Sequence, residues 1–257
     1  MGRLDDKVAL ITGAAGGLGR QTAIRMAEEG AKIALVDLNV EGGEETKKLV
    51  EEIGGKSVFI QADVSKSSDV QNYVKKTIEE FGKIDIFFNN AGIEGMVAPV
   101  EDYDEDEFDK VIAINVKGVF LGLKYVLKEM KKQGSGSVIN TSSIGGLVGH
   151  ENFIGYVASK HAVSGMTKDA AIEYGKHGIR VNAIAPGPIN TDMVKNAAHK
   201  HNPDNPQEYY DLVTSLVPSR MIGEPEHVAN LVTFLGSDES PYINGAIIAI
   251  DGAMTAI

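Results

Sequence analysis

The fold of this chain is constrained most by the alternation of short apolar runs with longer amphipathic segments. The apolar runs are nearly continuous, as expected of strands that are covered on both faces of a sheet. They lie at residues 8–11, 33–36, 58–60, 84–88, 138–140, 181–184 and 246–250. Segments with helical spacing lie between them, at 17–29, 41–53, 67–81, 105–131, 155–175 and 225–236. This alternation predicts an α/β fold with one doubly wound parallel sheet of about seven strands and helices on both faces.

Nothing in the sequence divides the chain. It has no linker, internal repeat or low-complexity tract, so we expect one domain over residues 1–257. The least regular stretch is 188–217, which contains Asn202-Pro203-Asp204-Asn205-Pro206 and is predicted to be a loop or a small helical insertion. A long irregular segment inside a compact domain is often a lid over a site, which predicts a substrate loop here. A surface excursion without function is the alternative.

Composition excludes several classes of protein. The chain has 36 acidic and 25 basic residues and a net charge of −11, which argues against nucleic acid and anionic membranes as partners. It has no cysteine, which excludes disulfides, thiolate catalysis and cysteine-based zinc sites. No signal peptide or long apolar run is visible, so a cytoplasmic location is expected.

Two groups of polar residues could in principle bind a metal ion. Seven acidic residues lie between Glu101 and Asp109, where carboxylates at the first turn of a helix complement its positive end. His199 and His201 have the spacing of half a metal site, but nothing suggests a third ligand. A solvated helix start and exposed loop histidines are the preferred interpretations, and no metal is expected.

The first motif with chemical meaning lies between the first predicted strand and helix. Gly13, Gly17 and Gly19 form a G-x-x-x-G-x-G pattern there. Glycine allows a tight turn and lets backbone N–H groups approach a pyrophosphate, while the helix start offers unpaired donors. The position of the loop predicts a dinucleotide site.

Asp37 ends the second predicted strand, about 20 residues past the glycines. A carboxylate there accepts hydrogen bonds from the adenosine ribose and repels a 2′-phosphate. Gly16 and Leu38, which flank that pocket, carry no positive charge. NAD(H) is therefore predicted rather than NADP(H), although an aspartate that caps the next helix is the alternative. Asp63-Val64 ends the third strand, where the same crevice meets the adenine.

Tyr156 and Lys160 stand four residues apart in a predicted helix and so share one face. A tyrosine titrates near pH ~10, and a nearby ammonium stabilises tyrosinate and lowers that pKa. The pair then provides an acid or base for a carbonyl or alcohol oxygen. Ser143 lies just past a strand end, and its hydroxyl can bond to the same oxygen. The pair alone is a common coincidence on a helix surface; Ser143 makes it informative.

Together these motifs resemble the short-chain dehydrogenase/reductases. The resemblance covers essentially the whole chain and implies a Rossmann-type fold. Its motifs are Thr12-Gly13-x-x-x-Gly17-x-Gly19, Asp63-Val64, Asn89-Asn90-Ala91-Gly92, Asn115, Ser143, Tyr156-x-x-x-Lys160, and Pro186-Gly187 followed by Thr191. Within the family, residues 87–95 and 118–123 are most similar to NAD-dependent cyclic-ketone reductases. The ending Asp251-Gly252-Ala253 departs from the commoner Asp-Gly-Gly, which leaves the detail of that turn open.

The resemblance implies a role for each catalytic residue. Tyr156 gives the proton in reduction and takes it in oxidation, and Ser143 orients and polarises the carbonyl. Lys160 holds the nicotinamide ribose and lowers the pKa of Tyr156. Asn115 keeps a water in a proton relay to Lys160; a helix asparagine bonded to the backbone is the alternative.

The resemblance also implies two sets of binding residues. The NAD-binding set comprises Gly13, Gly16, Gly17, Leu18, Gly19, Asp37, Leu38, Asp63, Val64, Asn89, Ala91, Gly92, Thr141, Tyr156, Lys160, Pro186, Gly187, Ile189 and Thr191. The substrate pocket comprises Glu94, Ser143, Ile144, Gly145, His150, Phe153, Tyr156 and Met193. The family further implies a homo-oligomer, usually a tetramer with 222 symmetry.

The resulting hypothesis is an NAD(H)-dependent oxidoreductase that interconverts a secondary alcohol and a ketone. A neutral cyclic or small carbonyl compound is the expected substrate. A sugar or steroid-like alcohol with the same chemistry is one alternative. A non-catalytic NAD-binding sensor is another, although it would not need the complete set of Ser143, Tyr156, Lys160 and Asn115.

Overall fold

A parallel sheet of seven strands forms the centre of the molecule in a computed structural model of the chain, which describes residues 2–256 and, for residues 200 and 201, the backbone only. The strands follow the order β3-β2-β1-β4-β5-β6-β7, and every neighbouring pair is parallel. They are β1 (Val8–Thr12), β2 (Lys32–Asp37), β3 (Lys56–Gln61), β4 (Ile86–Asn89), β5 (Gly136–Thr141), β6 (Ile179–Pro186) and β7 (Ile247–Ile250). The predicted fold class is confirmed.

The helices are α1 (Gly17–Glu28), α2 (Val40–Glu52), α3 (Ser67–Phe81), α4 (Glu105–Val111), α5 (Val119–Gln133), α6 (Ile154–Tyr174), α7 (Asp192–His201), α8 (Gln207–Leu216) and α9 (Pro225–Gly236). Most lie within a residue of the predicted segments. The segment predicted at 105–131 is instead two helices, α4 and α5, joined by a π-helical turn at Ile112–Gly118. Residues 188–217 contain α7 and α8, so of the two predictions for this stretch the helical insertion is confirmed. Among the described residues, no helix is long and apolar enough to cross a membrane.

The sheet is covered on both faces because neighbouring residues of its central strands point in opposite directions. Leu10 of β1 packs in one core with Phe87, whereas Ile11 packs in the other with Phe88. The first core takes side chains from α3, α5 and α6, and the second takes them from α1, α2 and α9. Two buried faces explain why the strands read as continuous apolar runs.

The acidic segment serves as the start of α4. Asp104 caps this helix, and its carboxylate accepts a hydrogen bond of 2.9 Å from the N–H of Glu107. Most of its acidic neighbours are exposed. The preferred interpretation of a solvated first turn is therefore confirmed.

The strand order reverses between β1 and β4, since the chain moves outward from β1 in one direction and then returns to its other side. Parallel doubly wound sheets open a crevice at such a point, outside the carboxyl ends of the strands. The glycine loop follows β1, and Asn90 follows β4. The fold thus places both at one crevice.

Candidate active site

A cavity of about 650 Å³ occupies this crevice. Most of the predicted site residues line it. They are Gly13, Gly16, Gly17, Leu18, Asp37, Ala91, Gly92, Glu94, Thr141, Ser143, Ile144, His150, Phe153, Tyr156, Lys160, Pro186, Gly187, Ile189, Thr191 and Met193. Residues that are far apart in sequence therefore line one cavity.

The glycine loop needs two of its glycines for space and conformation. Gly13 has φ +68°, and a Cβ added to it would lie 2.9 Å from Asn90 Nδ2. A Cβ on Gly19 would lie 2.0 Å from the carbonyl oxygen of Gly13, so α1 packs directly on the loop. No side chain caps the start of α1 at Gly16. The first N–H groups of α1 therefore remain suited to an anionic ligand.

Hydrogen bonds between the ends of β1 and β4, which were not predicted from the sequence, hold this loop in place. Thr12 Oγ1 accepts hydrogen bonds from the N–H of Asn90 at 2.9 Å and of Ala91 at 3.1 Å. Asn90 Nδ2 donates to the carbonyl oxygen of Thr12 at 3.1 Å. Both residues stand in the quoted motifs, which was the available signal. Their bonds fix the glycine loop against the end of β4.

Asp37 lies at the carboxyl end of β2, beside the glycine loop. Its two oxygens accept hydrogen bonds of 2.9 Å, one from the N–H of Ala15 and one from that of Asn39. The cap of α2 is Asn39 itself, whose side chain accepts from the N–H of Gly42. The alternative of Asp37 as a helix cap is therefore wrong, and its carboxylate is oriented at the rim of the cavity.

Arg20 is a positive charge next to this pocket that the sequence reading did not consider. Its guanidinium donates to the carbonyl oxygen of Ala15 at 2.6 Å and to Thr46 Oγ1 at 3.0 Å. It also forms a 2.6 Å ion pair with Glu45. Arg20 thereby ties the glycine loop to α2, with its charge already compensated.

Ser143, Tyr156 and Lys160 converge at the centre of the cavity. Ser143 follows β5, and its hydroxyl lies close enough to that of Tyr156 on α6 to lower the pKa of the tyrosine. Lys160 lies one turn further along α6, and its Nζ is 5.5 Å from the centre of the Tyr156 ring. The same Nζ donates to the carbonyl oxygen of Thr141 at 2.8 Å. The strand end and the helix face bring together the group expected from the sequence.

Burial dominates the electrostatics of this group. It raises the pKa of the Tyr156 hydroxyl, while the Ser143 hydroxyl lowers it and the Glu94 carboxylate raises it further. Burial also lowers the pKa of the Lys160 ammonium to about 8. The net direction for Tyr156 is upward, so the lowering attributed to Lys160 stays a prediction.

Asn115 lies in the π-helical turn, and π-helical turns often mark functional sites. Its Oδ1 accepts from the N–H of Ile93 at 2.9 Å, and its Nδ2 donates to the carbonyl oxygen of Ile93 at 2.8 Å. Nδ2 also donates to Ser159 Oγ at 3.0 Å. The side chain of Asn115 is thus bonded to the backbone, as the alternative interpretation of this residue predicted. A water relay to Lys160 stays a prediction.

Some residues predicted to bind NAD or substrate lie behind or beside the cavity wall. Asn89 is buried, and its Nδ2 donates to the carbonyl oxygen of Val119 and to Asn140 Oδ1. The carboxylate of Asp63 accepts from the N–H and hydroxyl of Ser65. The others outside the lining are Gly19, Leu38, Val64 and Gly145. Their binding roles remain predictions.

Residues of α7 and α8 line the end of the cavity at which the sequence predicts the substrate. Beside the predicted Met193 they contribute an apolar wall with one tyrosine, and the chain end adds a methionine. These residues, which sequence reasoning did not name, are Val194, Ala197, Tyr209, Leu212, Val213, Leu216 and Met254. All of them except Met254 lie within 188–217, the stretch predicted as a substrate loop.

Comparison with known proteins decides the family. The profile of the family described as enoyl-(acyl carrier protein) reductase matches residues 13–255. The levodione reductase of Leifsonia aquatica is 49% identical over 256 residues, which are 99% of this chain and 96% of that protein. The chain belongs to the short-chain dehydrogenase/reductase family. The resemblance seen in the sequence motifs is confirmed.

Other members of the family are also similar over their whole length. Cyclohexanol dehydrogenase of Acinetobacter sp. (strain SE19) is 35% identical, with 99% of this chain and 97% of that protein covered. A crystal structure of levodione reductase superposes with a TM-score of 0.96 at 49% identity, covering 98% of this chain and 99% of that one. NAD⁺-bound xylitol dehydrogenase gives a TM-score of 0.91 at 37% identity, covering 97% and 99%.

Proposed function

We propose that this protein is an NAD(H)-dependent oxidoreductase that interconverts a neutral, cyclic secondary alcohol and its ketone. The observation that carries the proposal is the convergence of Ser143, Tyr156 and Lys160 in one largely apolar cavity beside the glycine loop. The activities named for levodione reductase and cyclohexanol dehydrogenase support the same chemistry and a cyclic substrate.

The residues present fit a nicotinamide dinucleotide. The uncapped start of α1 suits the pyrophosphate, and the Asp37 carboxylate suits the adenosine ribose. A Cβ on Gly92 would lie 3.2 Å from Asn115 Oδ1 and 3.5 Å from Lys160 Nζ, so glycine leaves this end open. When bound, NAD(H) accepts or supplies the hydride. The NAD⁺-bound xylitol dehydrogenase supports this assignment.

The chain itself supplies the proton chemistry. In reduction, the Tyr156 hydroxyl gives its proton to the carbonyl oxygen of the substrate, and in oxidation tyrosinate takes a proton from the alcohol. The Ser143 hydroxyl bonds to the same oxygen and orients it. The raised pKa of Tyr156 keeps it protonated at neutral pH, as an acid for ketone reduction must be.

We further propose that the chain acts as one domain over 1–257, with 188–217 as its substrate-binding segment, and that it assembles as a homotetramer. Very exposed apolar side chains on α6 and before β7, Ile172 and Tyr242, support assembly. A cytoplasmic location is proposed because the reaction draws on a cellular NAD(H) pool, and fractionation of expressing cells tests it.

The test of function is NAD⁺ reduction with cyclohexanol, followed at the nicotinamide absorbance, for the wild type and Tyr156→Phe. The variant keeps the ring and loses the hydroxyl that carries the transferable proton. We expect kcat to fall by about 10²–10⁴-fold while NADH affinity changes little, because general acid/base groups typically contribute that much. Activity within about threefold of wild type would remove Tyr156 from the mechanism.

A further inference from the structure

Glu94 is a carboxylate in the cavity whose backbone is held on both sides. The preceding residue, Ile93, is bonded through its N–H and carbonyl oxygen to the Asn115 side chain. The following residue, Gly95, has φ +79°, and a Cβ there would lie 2.4 Å from Val111 Cγ2. Only glycine fits such a position. The backbone on both sides of Glu94 is therefore held in a fixed conformation.

The charge of Glu94 acts on both walls of the substrate end. Burial is the largest cause of the raised pKa values of Tyr156 on α6 and Tyr209 on α8. The negative charge of Glu94 raises both pKa values further. The carboxylate thus lies within electrostatic range of the catalytic tyrosine and of the lid. The surrounding wall is otherwise mainly apolar, with Ile144, Phe153, Leu212, Val213 and Leu216.

The other titratable groups at this end do not favour an anionic substrate. Burial lowers the pKa of His150, so this side chain is neutral at neutral pH. Asp192, a second acid, also lines the cavity and pairs with Lys195 at 3.3 Å. The Lys160 ammonium lies at the reacting end, bonded to Thr141. A substrate carboxylate near Glu94 would meet like charge.

We propose that Glu94 is a specificity-determining residue that accepts a hydrogen bond from a second hydroxyl of the substrate. It selects neutral cyclic diols and hydroxyketones over simple cyclic alcohols, and it rejects hydroxy acids. A carboxylate has about four acceptor positions, so it can take this bond beside its other contacts. The inference rests on the proposed function and specifies its substrate class.

The test compares three kinds of substrate in NAD⁺ reduction: cyclohexanol, the isomeric cyclohexanediols and 4-hydroxycyclohexanecarboxylate. Wild type should prefer the best diol over cyclohexanol by about tenfold in kcat/KM, the size of one charge-assisted hydrogen bond. The carboxylate should be the poorest substrate. Glu94→Met should bring the ratio of diol to cyclohexanol in kcat/KM near one.

Two variants separate charge from shape. Glu94→Gln keeps an acceptor but loses the charge, so its preference should fall between those of wild type and Glu94→Met. It should also lower the apparent pKa in the pH profile of cyclohexanol oxidation, because the charge that raises the pKa of Tyr156 is gone. Glu101→Gln makes the same change at an exposed position and should leave both readouts as in wild type.

The outcomes are distinguishable. Equal ratios of diol to cyclohexanol in wild type and Glu94→Met, with intact NADH affinity, overturn the role of Glu94 while the proposed function stands. A wild type that turns over cyclohexanol as well as any diol overturns it too. Absence of NAD⁺ reduction with every substrate overturns the proposed function, and the inference falls with it.

Discussion

At the scale of the residue, the buried Lys160 makes the free energy of unfolding depend on pH. Its pKa is about 8 in the folded protein against an ordinary value of 10.5, so the folded state releases this proton first. The destabilising effect of burying the ammonium is full below pH 8 and fades as pH rises toward 10.5. Between pH 7 and about 9.5, wild type should gain on the order of 1–3 kcal/mol relative to Lys160→Met.

Urea unfolding of both proteins without added cofactor measures this difference. The comparison stops below the ordinary tyrosine pKa of about 10, because the raised pKa values of Tyr73 and Tyr156 act in the opposite direction at higher pH. Both proteins carry these two tyrosines, so their effect cancels in the difference. A difference in unfolding free energy that is the same at both pH values would contradict the assignment.

Single residues were predictable where their chemistry is local in sequence. Tyr156 and Lys160 lie on one helix, and Ser143 ends a strand, so spacing alone brought them near each other. Thr12 and Arg20 were missed because their significance lies in bonds to Asn90 and Ala15, which depend on how strands and loops meet. Such contacts leave no periodic signal.

At the scale of the element, we expect β2 and the glycine loop to determine the preference for NAD(H) over NADP(H). The Asp37 carboxylate is oriented by Ala15 and Asn39, and it would repel a 2′-phosphate. We expect wild type to prefer NAD(H) over NADP(H), and Asp37→Ala to narrow the preference by weakening NAD binding and relieving the repulsion. Values of kcat/KM for both cofactors measure it. A wild-type preference for NADP(H) would be incompatible with this role of Asp37.

The turn after β7 carries a residue in a costly conformation. Ala253 has φ +73°, although its N–H is bonded to the Asp251 carboxylate at 3.0 Å. A side chain in this left-handed region costs about 1–2 kcal/mol. Glycine avoids that cost, but it also increases the conformational entropy of the unfolded chain, which offsets part of the gain in stability. Ala253→Gly should therefore raise the free energy of unfolding by about 0.5–1 kcal/mol.

The control for this turn is Ala158→Gly, at an exposed position within α6, which should lower the free energy of unfolding by about 1 kcal/mol. The two substitutions are chemically identical, so opposite signs in urea denaturation isolate the backbone conformation. Equal losses in both variants would show that the turn tolerates alanine without strain.

Elements were predictable where periodicity is regular. The span of α3 was predicted to the residue, whereas the π-helical turn at Ile112–Gly118 was not, because an apolar pattern is averaged over several turns. A helical insertion was predicted at 188–217, but the bounds of α7 and α8 were obscured by Asn202, Pro203 and Pro206 between them. Residues that end helices make such a segment look irregular even when helices flank them.

At the scale of the whole molecule, the parallel sheet followed from strand–helix alternation, but the order of its strands did not. Apolar runs show that a strand is covered on both faces without showing which strands flank it. The neighbours β1 and β4 are separated by more than 70 residues, yet their junction forms the crevice. The Rossmann-type arrangement was therefore implied by the family resemblance and not by the periodicity of the apolar runs.

The proposed tetramer makes a prediction at the same scale. Ile172 on α6 is 85% exposed and Tyr242 is fully exposed, which is unusual for large apolar side chains and favours a covered surface. Light scattering should give a particle of four 27.4 kDa chains for wild type. Ile172→Glu should give smaller particles, because a charge placed in a contact between subunits loses its hydration. Ile53→Glu, a similar change just after α2 and away from this surface, should leave the mass unchanged. A monomeric wild type, or equal masses for all three proteins, would contradict an interface at Ile172 and leave its exposure to be explained by another partner.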